Sequence, residues 1–448
     1  MTSFPISETD PATYTATLPE SADVVVIGGG IIGVMTAWEL AKKRLKVVVL
    51  EKGRVAAEQS SRNWGWIRMQ GRDVAEIPIM AEAASMWRQL DREIGEDIGL
   101  RQSGVAYLGQ SEKDIARYED WLPHPKAAGV ETALLSAAET KNLLPDAGVD
   151  WMGALWTASD MRAEPWVAVP ALARAAARDG VTIIEGCAAR LLDIAGGKIS
   201  GVVTEVGVIK APSVVVAGGS WSSLLLRRHG IKIPQLSVRA TVAATEPLPN
   251  VYDGGAADDR LAFRRRQDGG YTLAPTGFHE LFVGPDAFRA FGSFTRQLLA
   301  DPLGTRLLPA APAHYPDSWT TARRWSGDQV SPFEKMRVLN PKPHKGKVAK
   351  LAADFAETFP QLGTVQIKTA WAGMIDAMPD VVPVVDTVAS IPGLTIATGM
   401  CGHGFGIGPA FGQITADLVL GDTPSHEIGR FRLSRFSDGS KLDLGPNL

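Results

Sequence analysis

Residues 23–53 read DVVVIGGGIIGVMTAWELAKKRLKVVVLEKG. The run 24–27 is apolar on both faces, the pattern of a parallel strand covered on both sides. It meets Gly28-x-Gly30-x-x-Gly33, a helical segment, and a second apolar run, 47–50, that ends at Glu51. The three glycines have separate tasks: Gly28 permits a tight turn, Gly30 lets the backbone approach a pyrophosphate, and Gly33 brings helix and strand close together. Phosphates then sit at a helix N-terminus, where free N–H groups and the dipole favour negative charge. A carboxylate ending the second strand accepts hydrogen bonds from a ribose hydroxyl. Strand, glycines, helix, strand and acid in this order predict dinucleotide binding. Glu51 argues against a 2′-phosphorylated ligand and leaves FAD and NAD both open.

Working outward, 448 residues suggest two or three domains. The chain is 45% hydrophobic and 21% charged, with a formal charge of −3, so no basic excess points to nucleic acid. Two cysteines, Cys187 and Cys401, make no disulfide framework and fit a reducing compartment. The N-terminal segment lacks the basic-then-apolar order of a signal peptide, and glycines interrupt the most apolar early run. These features predict a cytoplasmic protein without a membrane span. Residues 1–18, with Pro5 and Pro11, read as a loose arm.

Beyond Glu51, the small-polar run 58–68 could place Ser60, Ser61 and Asn63 beside the cofactor or be a solvated loop. Trp64 and Trp66 favour something covered there. Helical spacing marks 74–95 and 165–180, with Gly180 as a stop. Residues 285–312, 345–360 and 410–420 also read as helices. Strands are expected at 104–108, 181–185, 214–217, 238–244, 261–266, 271–274, 381–385 and 394–397, with a hairpin over 199–210. Asp268-Gly269-Gly270 reads as a hairpin turn. Strand alternation sets Arg264 and Arg266 on one face and Phe263 and Arg265 on the other; that basic face could meet a carboxylate or simply face solvent. Two further strand–glycine turns follow 214–217 and 394–397, at Gly218-Gly219-Ser220-Trp221 and at 398–409.

The set VVVIGGGIIGVMTAWELA, VVVLEKG, VVVAGGSWS, WAGMIDAMPDVVPVV and ATGMCGHGFGIGP, spread in order over almost the whole chain, resembles the D-amino acid oxidase superfamily of FAD-dependent oxidoreductases. The resemblance is to glycine and sarcosine oxidases, D-amino acid dehydrogenase and the β-type subunits of opine oxidases. It implies an α/β fold: a Rossmann-like FAD-binding domain assembled from discontinuous segments (19–100, 155–235, 366–432), and an α+β substrate domain with a mixed or antiparallel sheet (101–154, 236–365), with a tail at 433–448. It further implies FAD contacts from Gly28, Gly30, Ile31, Ile32, Gly33, Glu51 and Lys52. The loop Ser60, Ser61, Arg62, Asn63, Trp64 and Gly65 would follow the pyrophosphate. Ala189 would lie on the adenine side, and Ala217, Gly218 and Trp221 would return to the cofactor. Gly402, His403, Gly404, Phe405, Gly406 and Ile407 would offer N–H groups to the flavin N1–C2=O edge, where reduced flavin is anionic.

Relatives with covalent flavin carry a cysteine where this chain has Gly373, so non-covalent FAD is expected. Relatives also place a substrate-binding lysine where Gly406 stands, so a carboxylate needs another cation. Arg68 is the first choice; Arg266, Arg264, Arg323 and Arg324 are weaker. Tyr271 and Tyr252 are candidate hydroxyl donors. His403 is expected to shape its loop rather than act as a base. The implied reaction is hydride transfer from the amine-bearing carbon of a D- or N-substituted amino acid to flavin N5, with O2 or an electron carrier as acceptor. A flavoprotein subunit of a hetero-oligomeric opine or sarcosine oxidase, a homo-oligomer, and a flavin-binding protein without turnover are the alternatives.

Overall fold

The computed structural model describes residues 4–301 and 304–444. Val24–Ile27 lies at the centre of a six-stranded sheet and is paired in parallel with Val47–Glu51 on one side and Ser213–Val216 on the other. Thr182–Glu185 extends the first side and Leu394–Thr398 the second, both in parallel; Val384–Thr387 closes the edge antiparallel. Strands from four distant parts of the chain therefore share one sheet. Their continuous apolar runs follow from burial on both faces: Val25, Val26, Val214, Val215 and Val216 have no exposure.

Helices Ile31–Lys42 and Gly404–Leu420 follow the strands Val24–Ile27 and Leu394–Thr398 and pack side by side. A Cβ on Gly408 would stand 2.9 Å from Ile31 side-chain carbons, and one on Gly412 would stand 2.4 Å from the Met35 Cβ. Two glycines four residues apart thus let the two helices approach closely, down to the Met35 and Thr36 backbone at Gly412. The helix expected from Ala410 starts six residues earlier, at Gly404, with His403 at its N-cap and Pro409 inside it. Glycines and a proline have poor intrinsic helix propensity; here burial of Phe405, Ile407 and Phe411 overrides it.

The second layer is a ten-stranded, mostly antiparallel sheet. It runs from Thr305–Leu308 through His279–Phe282, Leu236–Thr245, Tyr271–Ala274, Ala262–Arg265, Gly255–Ala257, Val105–Gly109 and Gly153–Thr157 to Thr132–Ser136. Ile367–Ala377 pairs along the whole of Leu236–Thr245. It was expected with the cofactor-binding segments and instead belongs to this sheet. The helix expected over 285–312 ends at Ala300, and Thr305–Leu308 is a strand.

The N-terminal arm is not loose over its described part. Ile6 is 4% exposed, Thr13 and Tyr14 donate backbone N–H bonds to Glu185, and Thr15 bridges Ile184. Its polar backbone finds partners on the sheet edge, which sequence pattern alone does not reveal. Within the C-terminal tail, Arg435 is buried and bonded to Asp380 at 2.8 Å.

Candidate active site

The C-terminal ends of the parallel strands, the N-termini of the two packed helices and the face of the large sheet enclose one cavity of about 1130 Å³. The site is built as follows. Gly28 (φ +117°) turns so tightly that a Cβ would lie 2.4 Å from the Ala217 carbonyl oxygen, and one on Gly33 would lie 2.0 Å from that of Gly28. Gly33 is therefore the helix–strand contact, and it does not line the cavity; Gly28, Gly30, Ile31 and Ile32 do. Ser60 Oγ accepts the Ile31 N–H at 2.9 Å. Glu51 takes one backbone N–H on each oxygen, from Gly29 and Gly53, both at 2.7 Å. Each oxygen keeps a lone pair for a ribose hydroxyl. Burial raises the Glu51 carboxyl above the usual carboxylate range, Lys52 opposing.

The remaining expected cofactor residues divide. Lys52, Ser60, Arg62, Asn63, Trp64, Ala189, Ala217, Gly218, Trp221, Gly373, Gly402, His403, Gly404 and Phe405 line the cavity; Ser61, Gly65, Gly406 and Ile407 do not. Ser61 is fully buried under the loop. Gly65 (φ +78°) is there because a Cβ would strike the Ala163 carbonyl. Gly406 and Ile407 lie inside the helix, and the Gly406 carbonyl accepts Trp87 Nε1–H at 2.8 Å. Arg62 and Lys52 reach the cavity already bonded: Arg62 clamps Ala57, Asn340, Ala372 and Ile6, and Lys52 clamps Glu58, Met336 and Arg337. Both hold the walls in place.

A dinucleotide with an isoalloxazine ring fits this cradle: glycine turns that no side chain could replace, an acid at the ribose position, and a long cavity running from there to the large sheet. Among the described residues no group of His, Cys, Asp and Glu is arranged to hold a metal.

At the far end, Arg68 lines the cavity and stands over the rings of Trp66 (5.9 Å) and Tyr107 (5.5 Å). Its Nη1 is buried without a hydrogen-bond partner. The nearby carboxyl of Asp160 does not cancel it, since burial pushes that group up to about 8. The other expected cations are elsewhere. Arg264 is fully buried in a two-bond pair with Glu164 at 3.0 and 2.9 Å. Arg266 pairs with Asp268, Arg323 with Asp286, and Arg324 is exposed. None of the four lines the cavity. Tyr271 and Tyr252 are also outside it. The Tyr271 hydroxyl accepts the Val251 N–H at 2.9 Å, and that of Tyr252 faces the Ser103 carbonyl. Alternation sorted those faces as expected, but the arginine face turned inward to an acid from another segment.

His403 closes the loop before the second helix: its N–H donates to Met400 at 2.8 Å, and its carbonyl accepts from Arg72 at 3.3 Å. Burial, with Arg68 and Arg72 beside it, holds the imidazole well below its ordinary value, so it is neutral. The pattern reading missed Tyr107, Arg72 and Asp376, all of which line the cavity. Asp376 accepts the Gly399 N–H at 2.8 Å, and burial lifts it to about 6. Tyr107 sits in a segment read only as a strand, Arg72 falls between the run 58–68 and the helix expected over 74–95, and Asp376 lies in the motif WAGMIDAMPDVVPVV with no role given to it; no spacing rule marks any of the three.

The fold and cavity define the two-layer dinucleotide-binding class, a parallel sheet with glycine turns beneath a large, mostly antiparallel sheet. The chain belongs to the DAO family of FAD-dependent oxidoreductases, whose model matches residues 23–418. Among solved structures it is similar to L-amino acid deaminase from Proteus myxofaciens in complex with anthranilate: 31% identity, TM-score 0.90, covering 95% of this chain and 97% of that one. Among curated proteins it is 32% identical over 292 residues to human mitochondrial sarcosine dehydrogenase, which takes in 62% of this chain and 31% of that longer protein. It is 24% identical to the sarcosine oxidase β subunit of Arthrobacter sp over 95% of this chain and 93% of the relative. Among the described residues no helix is long and apolar enough to cross a membrane.

Proposed function

We propose that this protein oxidises the amine-bearing carbon of an α-amino acid, primary or N-substituted, to an imine that water hydrolyses. The observation that carries the reading is Arg68: a cavity-lining guanidinium with a buried nitrogen unpaired, beside two aromatic rings. It suits a carboxylate, which can take charge-assisted hydrogen bonds from a planar guanidinium. The deaminase and sarcosine-oxidising relatives act on molecules of this kind by their names.

Bound FAD supplies the hydride acceptor. The chain's own residues do the rest. Arg68 fixes the carboxylate, so that the α-carbon is oriented as well as bound. The rings of Trp66 and Tyr107 stand beside that cation and give the carboxylate end of the site an aromatic wall. The amine must be neutral for its lone pair to assist C–H cleavage, and a neutral His403 beside Arg68 does not oppose loss of its proton. FAD is held without a covalent bond: Gly373 offers no thiol, and Cys401, the cysteine lining the cavity, is kept protonated by burial.

Anaerobic addition of D-, L- and N-methyl amino acids to the FAD-loaded protein should bleach the flavin band with at least one of them. If none does so, the reading is wrong. A second reading, a flavoprotein subunit of a larger oxidase, draws on the apolar surface of Phe288, Phe291 and Leu299, which are 66%, 61% and 82% exposed. It predicts activity only after addition of a partner subunit.

A further inference from the structure

Glu76 opens the helix Glu76–Ile94 and is 1% exposed. Its Oε2 makes no hydrogen bond. Two other buried polar atoms without partners face it: Arg72 Nη1 at 3.9 Å and His403 Nδ1 at 4.0 Å. Two ion pairs as deeply buried as this one close to bonding distance, Arg264–Glu164 at 2.9 Å and Arg435–Asp380 at 2.8 Å. The Glu76 cluster stays open, at separations too long for direct bonds and short enough for one water to bridge. Buried polar atoms without partners are costly, so three converging on one point indicate a group or proton that passes between them. The imidazole connects this point to the cavity, which His403 lines with an 18% exposed side chain.

We propose that Glu76 is a positioning residue that acts through His403 as the final acceptor of the proton lost by the substrate's amine. This rests on the amino-acid oxidation reading above. An α-amino acid reaches the site with a cationic ammonium. One N–H bond of that ammonium breaks, its electron pair remaining on nitrogen as the lone pair that assists oxidation. The proton bonds to the cavity-facing nitrogen of His403, while the Nδ1–H proton leaves through the bridging water to the Glu76 carboxylate. No electrons are transferred in this step; the positive charge of the ammonium and the negative charge of Glu76 are both extinguished.

The charged and titratable groups around Glu76 fit such an acceptor. They are Arg72 and Asp73 on the preceding turn, Arg68 on the loop before it, and Cys401 and His403 on the loop leading to Gly404. Burial lifts the Glu76 carboxyl to about 7, with Arg72 opposing, so it can hold or release a proton near neutrality.

The test is the pH dependence of anaerobic flavin reduction, with the amino acid that bleaches fastest, in the wild type, Glu76→Gln, Glu76→Asp, His403→Asn and the Gln/Asn double variant. The wild-type rate should level off above a half-point near pH 7. Glu76→Gln and His403→Asn should lose that half-point and fall about tenfold per pH unit below the pKa of the free amine. The double variant should be no slower than either single one, and Glu76→Asp should regain the plateau. A second readout needs no turnover. Infrared difference spectra of the FAD-loaded protein should show a carboxylic acid band that titrates near pH 7, is missing in Glu76→Gln and shifts in pH in His403→Asn. A wild-type pH profile in Glu76→Gln, or a band unmoved by His403→Asn, overturns the relay while leaving amino-acid oxidation intact. If no amino acid reduces the wild-type flavin, both fall together.

Discussion

Arg68 and Arg264 carry the same group and meet opposite fates, and partners decide which is available. Arg264 spends its donors on Glu164, Trp64 and Thr272. Arg68 keeps a buried nitrogen unbonded beside the cavity. A charge-assisted hydrogen bond contributes roughly 1.5–3 kcal/mol, so Arg68→Ala should lower kcat/KM for a carboxylate substrate by about 10- to 150-fold, mostly through KM. Arg68→Lys should restore part of it. Arg264→Ala should instead leave Glu164 as an uncompensated buried charge and cost about 3–5 kcal/mol of stability, read as a lower Tm. An Arg68→Ala enzyme with unchanged kcat/KM would remove the carboxylate assignment. Acid precipitation of the holoprotein should leave the yellow colour in the supernatant; colour in the pellet would contradict non-covalent binding.

Among the elements, the contact between helices Ile31–Lys42 and Gly404–Leu420 fixes the site, since both deliver their N-termini to the cavity. Gly412 has no room for a methyl group: a Cβ there would lie 2.4 Å from the Met35 Cβ and 2.9 Å from the Met35 carbonyl carbon. Gly412→Ala must push the helices apart, and overpacking of this kind costs about 1–3 kcal/mol. FAD retention should weaken along with Tm. Gly292, in the helix Pro285–Ala300, has nothing within 4 Å of its missing Cβ. Gly292→Ala should therefore stabilise by about 0.5–1 kcal/mol through helix propensity alone. Equal effects at the two sites would mean that the helix contact is not tight.

For the whole molecule, burial of acids sets the pH response. Asp376 is lifted to about 6, Glu76 and Asp317 to about 7, and Asp160 to about 8. In each case burial raises the folded-state value above the unfolded one, so the folded protein binds more protons over this window. Stability from these groups is fully present below their unfolded values and is lost as pH rises from about 4 to about 8. Burial would raise Glu334, but its bonds to Arg190 and Ser331 together outweigh that and lower it to about 2, so it contributes with the opposite sign and its stabilisation disappears only in acid. Flavin-free protein should therefore unfold at lower denaturant at pH 8.5 than at pH 5.5. FAD at a hundredfold its Kd should add about 2.7 kcal/mol at either pH. A midpoint that rises with pH would show that these acids are ionised in the folded state.

Much of this molecule was written in its sequence, because the signals were local. Apolar runs covered on both faces marked the parallel strands, and the Gly28–Gly33 spacing with Glu51 marked a tight turn and an acid at the wall of the cavity. Asp268-Gly269-Gly270 marked a hairpin. What only the tertiary structure decided concerns partners far apart in the chain. It turned Arg264 and Tyr271 into framework, assigned Ile367–Ala377 to the large sheet, made a helix of a glycine-rich stretch, and brought Glu76, Arg72 and His403 to one point. Backbone conformation answers to neighbouring residues. The ionisation and availability of a side chain answer to whatever the fold sets beside it.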